Sequence, residues 1–141
     1  MLPLRDDDYI YRILAIDNGS SNLGEVVLDL DLRSGVYYLR HAQTFVSDRM
    51  ITNNLHQGEV ITHGARWARQ CTLEDCVGDS LEVWEPDDVA VESPFFMPRR
   101  VQSFEVLTEM MVKIRQAVQR YSGRNISTVT PGEAKRAVQP R

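Results

Sequence analysis

Two acidic residues stand where apolar runs stop. Asp17 ends Tyr9-Ile-Tyr-Arg-Ile-Leu-Ala-Ile and leads into Asn18-Gly-Ser-Ser-Asn-Leu-Gly24, while Glu92 ends Val89-Ala-Val and precedes Ser93-Pro94. Hard divalent cations such as Mg²⁺ take oxygen ligands, commonly one or two carboxylates completed by water and substrate phosphate oxygens. A lone Asp at a turn, or a lone Glu at a strand end, is ordinary surface chemistry. The joint placement is what points to metal: if the two runs are neighbouring strands, their terminal acids can share one ion.

Other chemistries find less support. Cys71-Thr-Leu-Glu-Asp-Cys76 has a four-residue gap and no second pair, a poor match to zinc spacing, so both thiols are expected to act as small buried apolar groups. His41, His56 and His63 are scattered. Ser20 and Ser21 read as hydrogen-bonding turn residues, since no histidine lies near them and no nucleophile-elbow spacing is present.

Periodicity supplies the elements that must position these acids. Residues 9–17 form a near-continuous apolar run, as expected of a strand buried on both faces. Residues 24–32 and 36–46 are two more β-rich runs joined by Arg33-Ser34-Gly35, which predicts an antiparallel hairpin. From 58 to 83 the pattern is helical, with Ile61, Ala65, Ala68, Leu73, Val77 and Leu81 on one stripe. A strand over 87–93 is closed by Pro94. Phe104, Leu107, Met111, Ile114, Val118 and Tyr121 step by three and four, so a helix spans 102–121 and Gly123 ends it. Residues 125–129 give one more strand. Thr130-Pro131-Gly132-Glu133 then reads as a capping box opening a final helix, with Pro at its first position, and Pro140 stops that helix.

The order βββαβαβα predicts an α/β domain in which a mixed five-stranded sheet is flanked by helices. Open sheets of this kind place their chemistry beyond the carboxyl ends of strands, where Asp17 and Glu92 fall. The 141 residues suit one domain, since a chain of about 150 buries roughly 70% of its unfolded surface. That excludes a disulfide scaffold or a disordered tail. No apolar run approaches the ~18 to 20 residues of a membrane span, and the N-terminus lacks the basic-then-apolar order of a signal peptide, so a soluble, cytoplasmic protein without membrane contact is expected.

A net charge of −4 would count against nucleic acid as a partner, but the charge is unevenly spread. Residues 99–141 hold nine basic and three acidic residues, a net +6, which leaves −10 in the first 98. Arg99 and Arg100, directly after the fourth strand and its Phe95-Phe96-Met97-Pro98 extension, are the least ordinary members of the basic set.

These motifs resemble those of the RuvC branch of Holliday junction resolvases, within the ribonuclease H-like superfamily. Ile16-Asp17-Asn18-Gly-Ser-Ser-Asn-Leu-Gly24 is similar to the family's first motif, an Asp-Pro-Gly-Thr type turn, with Asn18 in place of Pro. Val91-Glu92-Ser-Pro-Phe95 resembles the second, a strand-end Glu followed by an aromatic. Thr130-Pro-Gly-Glu-Ala-Lys135-Arg136-Ala-Val138 resembles the basic segment after the fifth strand. The resemblance implies a metal-dependent, structure-selective endonuclease that acts as a homodimer and nicks opposed strands of a four-way DNA junction. It implies Asp17 and Glu92 as ligands of Mg²⁺, with Mn²⁺ as a substitute, and Lys135 and Arg136 as positive charge near the scissile phosphate. Phe95, with Arg99 and Arg100, is implied as a DNA contact.

Family members use four carboxylates, and the two carried on a C-terminal helix have no counterpart after Glu133. The expectation is one ribonuclease H-like domain over 1–141, C-terminally incomplete, that binds branched DNA and cleaves it slowly or not at all. Two alternatives follow. One is a non-catalytic branched-DNA-binding module of the same fold. The other is a phosphate-loop fragment like those of actin-like and sugar-kinase ATPases, which residues 17–24 also resemble but which requires a second domain.

Overall fold

The computed structural model describes residues 9–51 and 57–138. The N-terminal segment 1–8, His56, the Pro140 helix stop and Arg141 lie outside the described residues. The elements are β1 (Ile10–Asn18), β2 (Asn22–Asp31), β3 (Tyr37–Val46), α1 (Ser47–Ile51), α2 (Gln57–His63), α3 (Ala65–Trp84), β4 (Asp88–Glu92), α4 (Val101–Ser122), β5 (Ser127–Val129) and α5 (Pro131–Val138). The strands form one sheet in the order β3-β2-β1-β4-β5. β2 runs antiparallel to β1 and β3, while β4 lies parallel to β1 and β5 parallel to β4. The mixed five-stranded α/β architecture expected from the sequence is the one that forms.

Local chemistry explains most of the boundaries. In the β2–β3 turn the Asp31 carboxylate accepts from the Arg33 and Ser34 N–H groups, and Gly35 takes φ +69° so that its N–H reaches the Asp31 carbonyl at 2.7 Å. α4 ends as expected at Gly123, which is left-handed and donates to the Gln119 carbonyl. The capping box is complete: Thr130 N–H donates to Glu133 Oε2 at 2.8 Å, and Glu133 N–H to Thr130 Oγ1 at 3.2 Å.

Three expectations need correction. β1 is buried on one face only. Arg12, Leu14 and Ile16 are buried on the side of α3 and α4, while Tyr11, Ile13 and Ala15 lie half-buried on the opposite face. The single helix read over 58–83 is two, α2 and α3, divided at Gly64 with φ +88°; α1 precedes them. Ile61 and Ala65, assigned to the apolar stripe, are exposed. The inner side of α3 instead buries Gln70, Thr72 and Ser80 among Ala68, Leu73, Val77 and Leu81. On α4 the buried set is Met110, Lys113, Ile114, Ala117 and Val118, and Tyr121 is exposed. The helix packs on both the sheet and α3, which turns its covered face. Lys113 is tolerated there because its Nζ reaches Glu74 at 2.8 Å and lies over the Trp67 ring.

The helix side of the sheet also encloses charge that no apolar pattern reveals. Arg12 is 1% exposed and Asp29 is fully buried. Arg12 Nε and Nη2 donate to the two Asp29 carboxylate oxygens at 2.7 and 2.9 Å, Nη1 donates to the Trp84 carbonyl, and Arg40 Nε adds a further bond to Asp29. Burial alone would raise the pKa of Asp29, but the hydrogen bonds from Arg12 and Arg40 outweigh it and hold the carboxyl below its usual range. The network ties β1, β2 and β3 to the end of α3.

Breaking such a pair from one side leaves a buried charge unmatched, at a cost of about 3–5 kcal/mol. Arg12→Met is therefore expected to lower unfolding stability by that amount in urea titrations at neutral pH. A loss below about 1 kcal/mol would show that Arg40 satisfies Asp29 unaided.

Candidate metal-binding site

β1 and β4 meet in parallel with Ile16 opposite Val91. Both of these side chains are buried against the helices, so the next residue of each strand points to the other face. Asp17 and Glu92 thus stand side by side at the carboxyl ends of adjacent central strands, as the sequence required for a shared ion. The pairing of β1 also changes here, antiparallel to β2 on one side and parallel to β4 on the other.

The electrostatics fit this proximity. The pKa of Glu92 is raised, first by burial, then by the charge of Asp17 and a hydrogen bond with it, while Lys135 pulls the other way. Lys135 is brought in by β5, whose Val129 pairs with Glu92, and by α5, which opens two residues later. Ala134, the residue before it, lines a hollow of about 670 Å³ that has Asp17 and Glu92 on its wall and small side chains, Ala15, Ala42 and Ala90, among the others lining it.

Two glycines flank Asp17. Gly24 lies opposite Asp17 across the β1–β2 ladder, and a Cβ placed there would touch the Asp17 Cβ at 3.5 Å. At Gly19 a Cβ would collide with the Asn22 carbonyl oxygen, so the turn after Asp17 closes this tightly only with glycine. Ser21 acts as a turn residue: its carbonyl accepts from both the N–H and the hydroxyl of Ser47.

Of the residues singled out in the sequence, Asp17, Glu92 and Lys135 come together. Arg136 is exposed on α5. Phe95, 51% exposed, and Arg99 and Arg100 lie on the loop 93–100 that carries the chain from Glu92 to α4. Met97, Pro98, Arg99 and Arg100 line a separate hollow there. The basic surplus after residue 98 is partly consumed inside the fold. Lys113 and Arg120 both engage Glu74, and Arg124 donates to the Asp87 carbonyl.

Asn18, which stands where the resembled motif has proline, has a structural role of its own. Its Nδ2 donates to the Leu107 carbonyl at 3.0 Å, which pins the end of β1 to α4, and its Oδ1 is buried without a partner among the described residues. Only the alternation of β1 hinted that this side chain turns toward the helices.

An Asp–Glu pair with one carboxyl's pKa raised, beside a cation, offers the kind of oxygen donors that a hard divalent cation takes. No group of three or more His, Cys, Asp or Glu gathers among the described residues. Cys76 is buried and its thiol is pushed up to about 12, chiefly by burial; Cys71 is half-buried, hydrogen-bonds Glu59 and is raised to about 11. His41 stacks on Trp84, and His63 meets Trp67 edge-on. No described helix is long and apolar enough to cross a membrane.

No family model and no curated protein matches the sequence. Solved structures do. Thermus thermophilus RuvC in complex with Holliday junction substrate superposes with a TM-score of 0.67 at 18% identity, covering 91% of this chain and 69% of that one. A second Thermus thermophilus RuvC structure gives 0.61 at 19% identity over 90% and 68% of the two chains. With its mixed five-stranded sheet and flanking helices, the chain has a RuvC-like, ribonuclease H-like fold.

Proposed function

We propose that the chain is a metal-dependent, structure-selective endonuclease of the Holliday junction resolvase type, acting as a homodimer on four-way DNA junctions. The observation that carries this reading is the meeting of Asp17, Glu92 and Lys135 at the carboxyl ends of adjacent strands in a RuvC-like fold. Asp17 and Glu92 would hold Mg²⁺, or Mn²⁺ in its place. A divalent ion supplies Lewis-acid polarisation of the phosphodiester and a bound water acidic enough to attack it. Lys135 offers positive charge to the scissile phosphate, and Arg136 offers more on the exposed side of α5. The loop 93–100 presents Arg99 and Arg100 to DNA phosphates and Phe95 to an unpaired base.

A second reading is a non-catalytic branched-DNA-binding module of the same fold. That no group of three or more His, Cys, Asp or Glu able to hold a metal gathers among the described residues favours it. Incubating the chain with four-way junctions and Mg²⁺ separates the two. Slow nicks on opposed strands, abolished by Asp17→Asn, support the nuclease. Binding without nicks supports the module.

Asp17→Asn or Glu92→Gln is expected to weaken Mn²⁺ binding by at least about tenfold in calorimetric titrations. The pKa of Glu92 is raised on folding, so its contribution to stability is greatest when it is protonated and falls as pH rises through its folded value. Glu92→Gln should accordingly raise the melting temperature at pH 7, and that gain should vanish as pH falls below the ordinary carboxylate range. An equal gain at both pH values would contradict a raised pKa for Glu92.

If Arg99 and Arg100 touch phosphates, replacing both with Ala should flatten the log–log salt dependence of junction binding by about 1 to 2 units. An unchanged slope removes them from the interface. For Phe95, stacking on a base is worth ~1 to 3 kcal/mol, so Phe95→Ala should weaken junction binding by that amount and leave linear duplex binding intact. Equal loss on both substrates would make Phe95 a packing residue.

A further inference from the structure

At the site the two acids belong to strands bonded to different neighbours. The ladder between β1 and β4 ends at Ile16 and Val91. Beyond it Asp17 and Asn18 pair with Gly24 and Leu23 of β2, whereas Glu92 pairs with Val129 of β5. Ladder bonds thus hold each acid to its outer strand and not to the other acid. The Asn18 side chain bridges the two sides. Its Nδ2 donates to the Leu107 carbonyl of α4 at 3.0 Å. α4 is the helix that the chain enters from Glu92 through the loop 93–100, and the Phe96 ring of that loop meets Phe104 edge-on at 5.6 Å, about one turn before Leu107. The bond therefore fastens the end of β1 to the segment that begins at Glu92. Proline, which the resembled motif has at this position, has no side-chain donor to make it.

Stability alone does not account for this amide. Asn18 Oδ1 is buried without a partner among the described residues, and an unmet buried acceptor costs free energy. Leucine has nearly the same shape and would fill the place without that cost, while the Leu107 carbonyl would keep its bond within the helix. We infer that Asn18 is a positioning residue, whose bond to α4 sets Asp17 at the distance from Glu92 that a shared divalent cation needs. The inference rests on the metal reading of the acid pair. Removing a hydrogen bond made directly to a metal ligand typically costs ~10- to 100-fold in affinity. Asn18 acts one residue away, through the backbone, so a smaller loss is expected.

The test compares the full chain with Asn18→Leu, Asn18→Ala and Asp17→Asn. The readouts are thermal melting without metal, Mn²⁺ binding by calorimetry, and the electron paramagnetic resonance spectrum of bound Mn²⁺. Asn18→Leu is expected to melt at or above the parent temperature while binding Mn²⁺ about three- to tenfold more weakly, with a broadened spectrum as the ligand geometry loosens. Asn18→Ala should share the loss of affinity, and Asp17→Asn should abolish binding. Parent affinity and spectrum in either Asn18 variant would overturn the inference and leave the metal reading intact. So would melting of both variants well below the parent with affinity lost in step, which would make Asn18 a packing residue. Absence of Asp17-dependent Mn²⁺ binding in the parent would overturn the metal reading, and this inference with it.

Discussion

The parallel register of β1 on β4 governs this molecule. Leu14, Ile16, Val89 and Val91 point into one core with α3 and α4, and a shift of either strand by one residue would turn that whole set toward solvent. Burial of these side chains therefore fixes the register, and the register fixes Asp17 beside Glu92. The proximity of two like charges is disfavoured in itself. It persists because the apolar contacts on the opposite face of the same two strands outweigh it.

The rest of the sheet supports that central pair. The Arg12–Asp29–Arg40 network closes the far end of β1, β2 and β3 around a buried charge, and Asn18 fastens the near end to α4. The acid pair thus sits at the end of a strand held at both extremities, while the loop 93–100 and its arginines lie on the less constrained path out of Glu92. A rigid centre flanked by an exposed basic loop agrees with phosphate chemistry at the centre and substrate contact at its margin.

Much of this was legible in the sequence, and the failures have physical causes. Asp17 and Glu92 could be read because each follows an apolar strand, and the hairpin, the end of α4 and the capping box could be read because each depends on local hydrogen bonds. Arg12 could not, since the apolar run around it carries no sign that Asp29 waits 17 residues away to neutralise it. The break at Gly64 was hidden because apolar spacing continues across it. Ile61 matches the stripe, yet the turn in direction leaves it outside the core. The two-sided burial expected of β1 rested on composition, and composition does not say on which face of a sheet the helices settle.

The position of β1 also has a consequence for how the molecule assembles. Its pairing with β2 closes across a short turn, whereas its pairing with β4 joins residues some 75 apart, as Ile16 and Val91 are, and ordering so long an intervening loop makes such contacts slow to form. The meander arises from neighbours in sequence and gains Glu92 only when the helical excursion has returned, with Lys135 following a further strand later. During synthesis Asp17 therefore emerges long before its companions, exposed on a partly formed sheet with nothing to share. Juxtaposition of the two acids therefore requires the chain as far as residue 92, and a lesion between residues 47 and 92 that slows the return of β4 would delay their pairing without touching either of them.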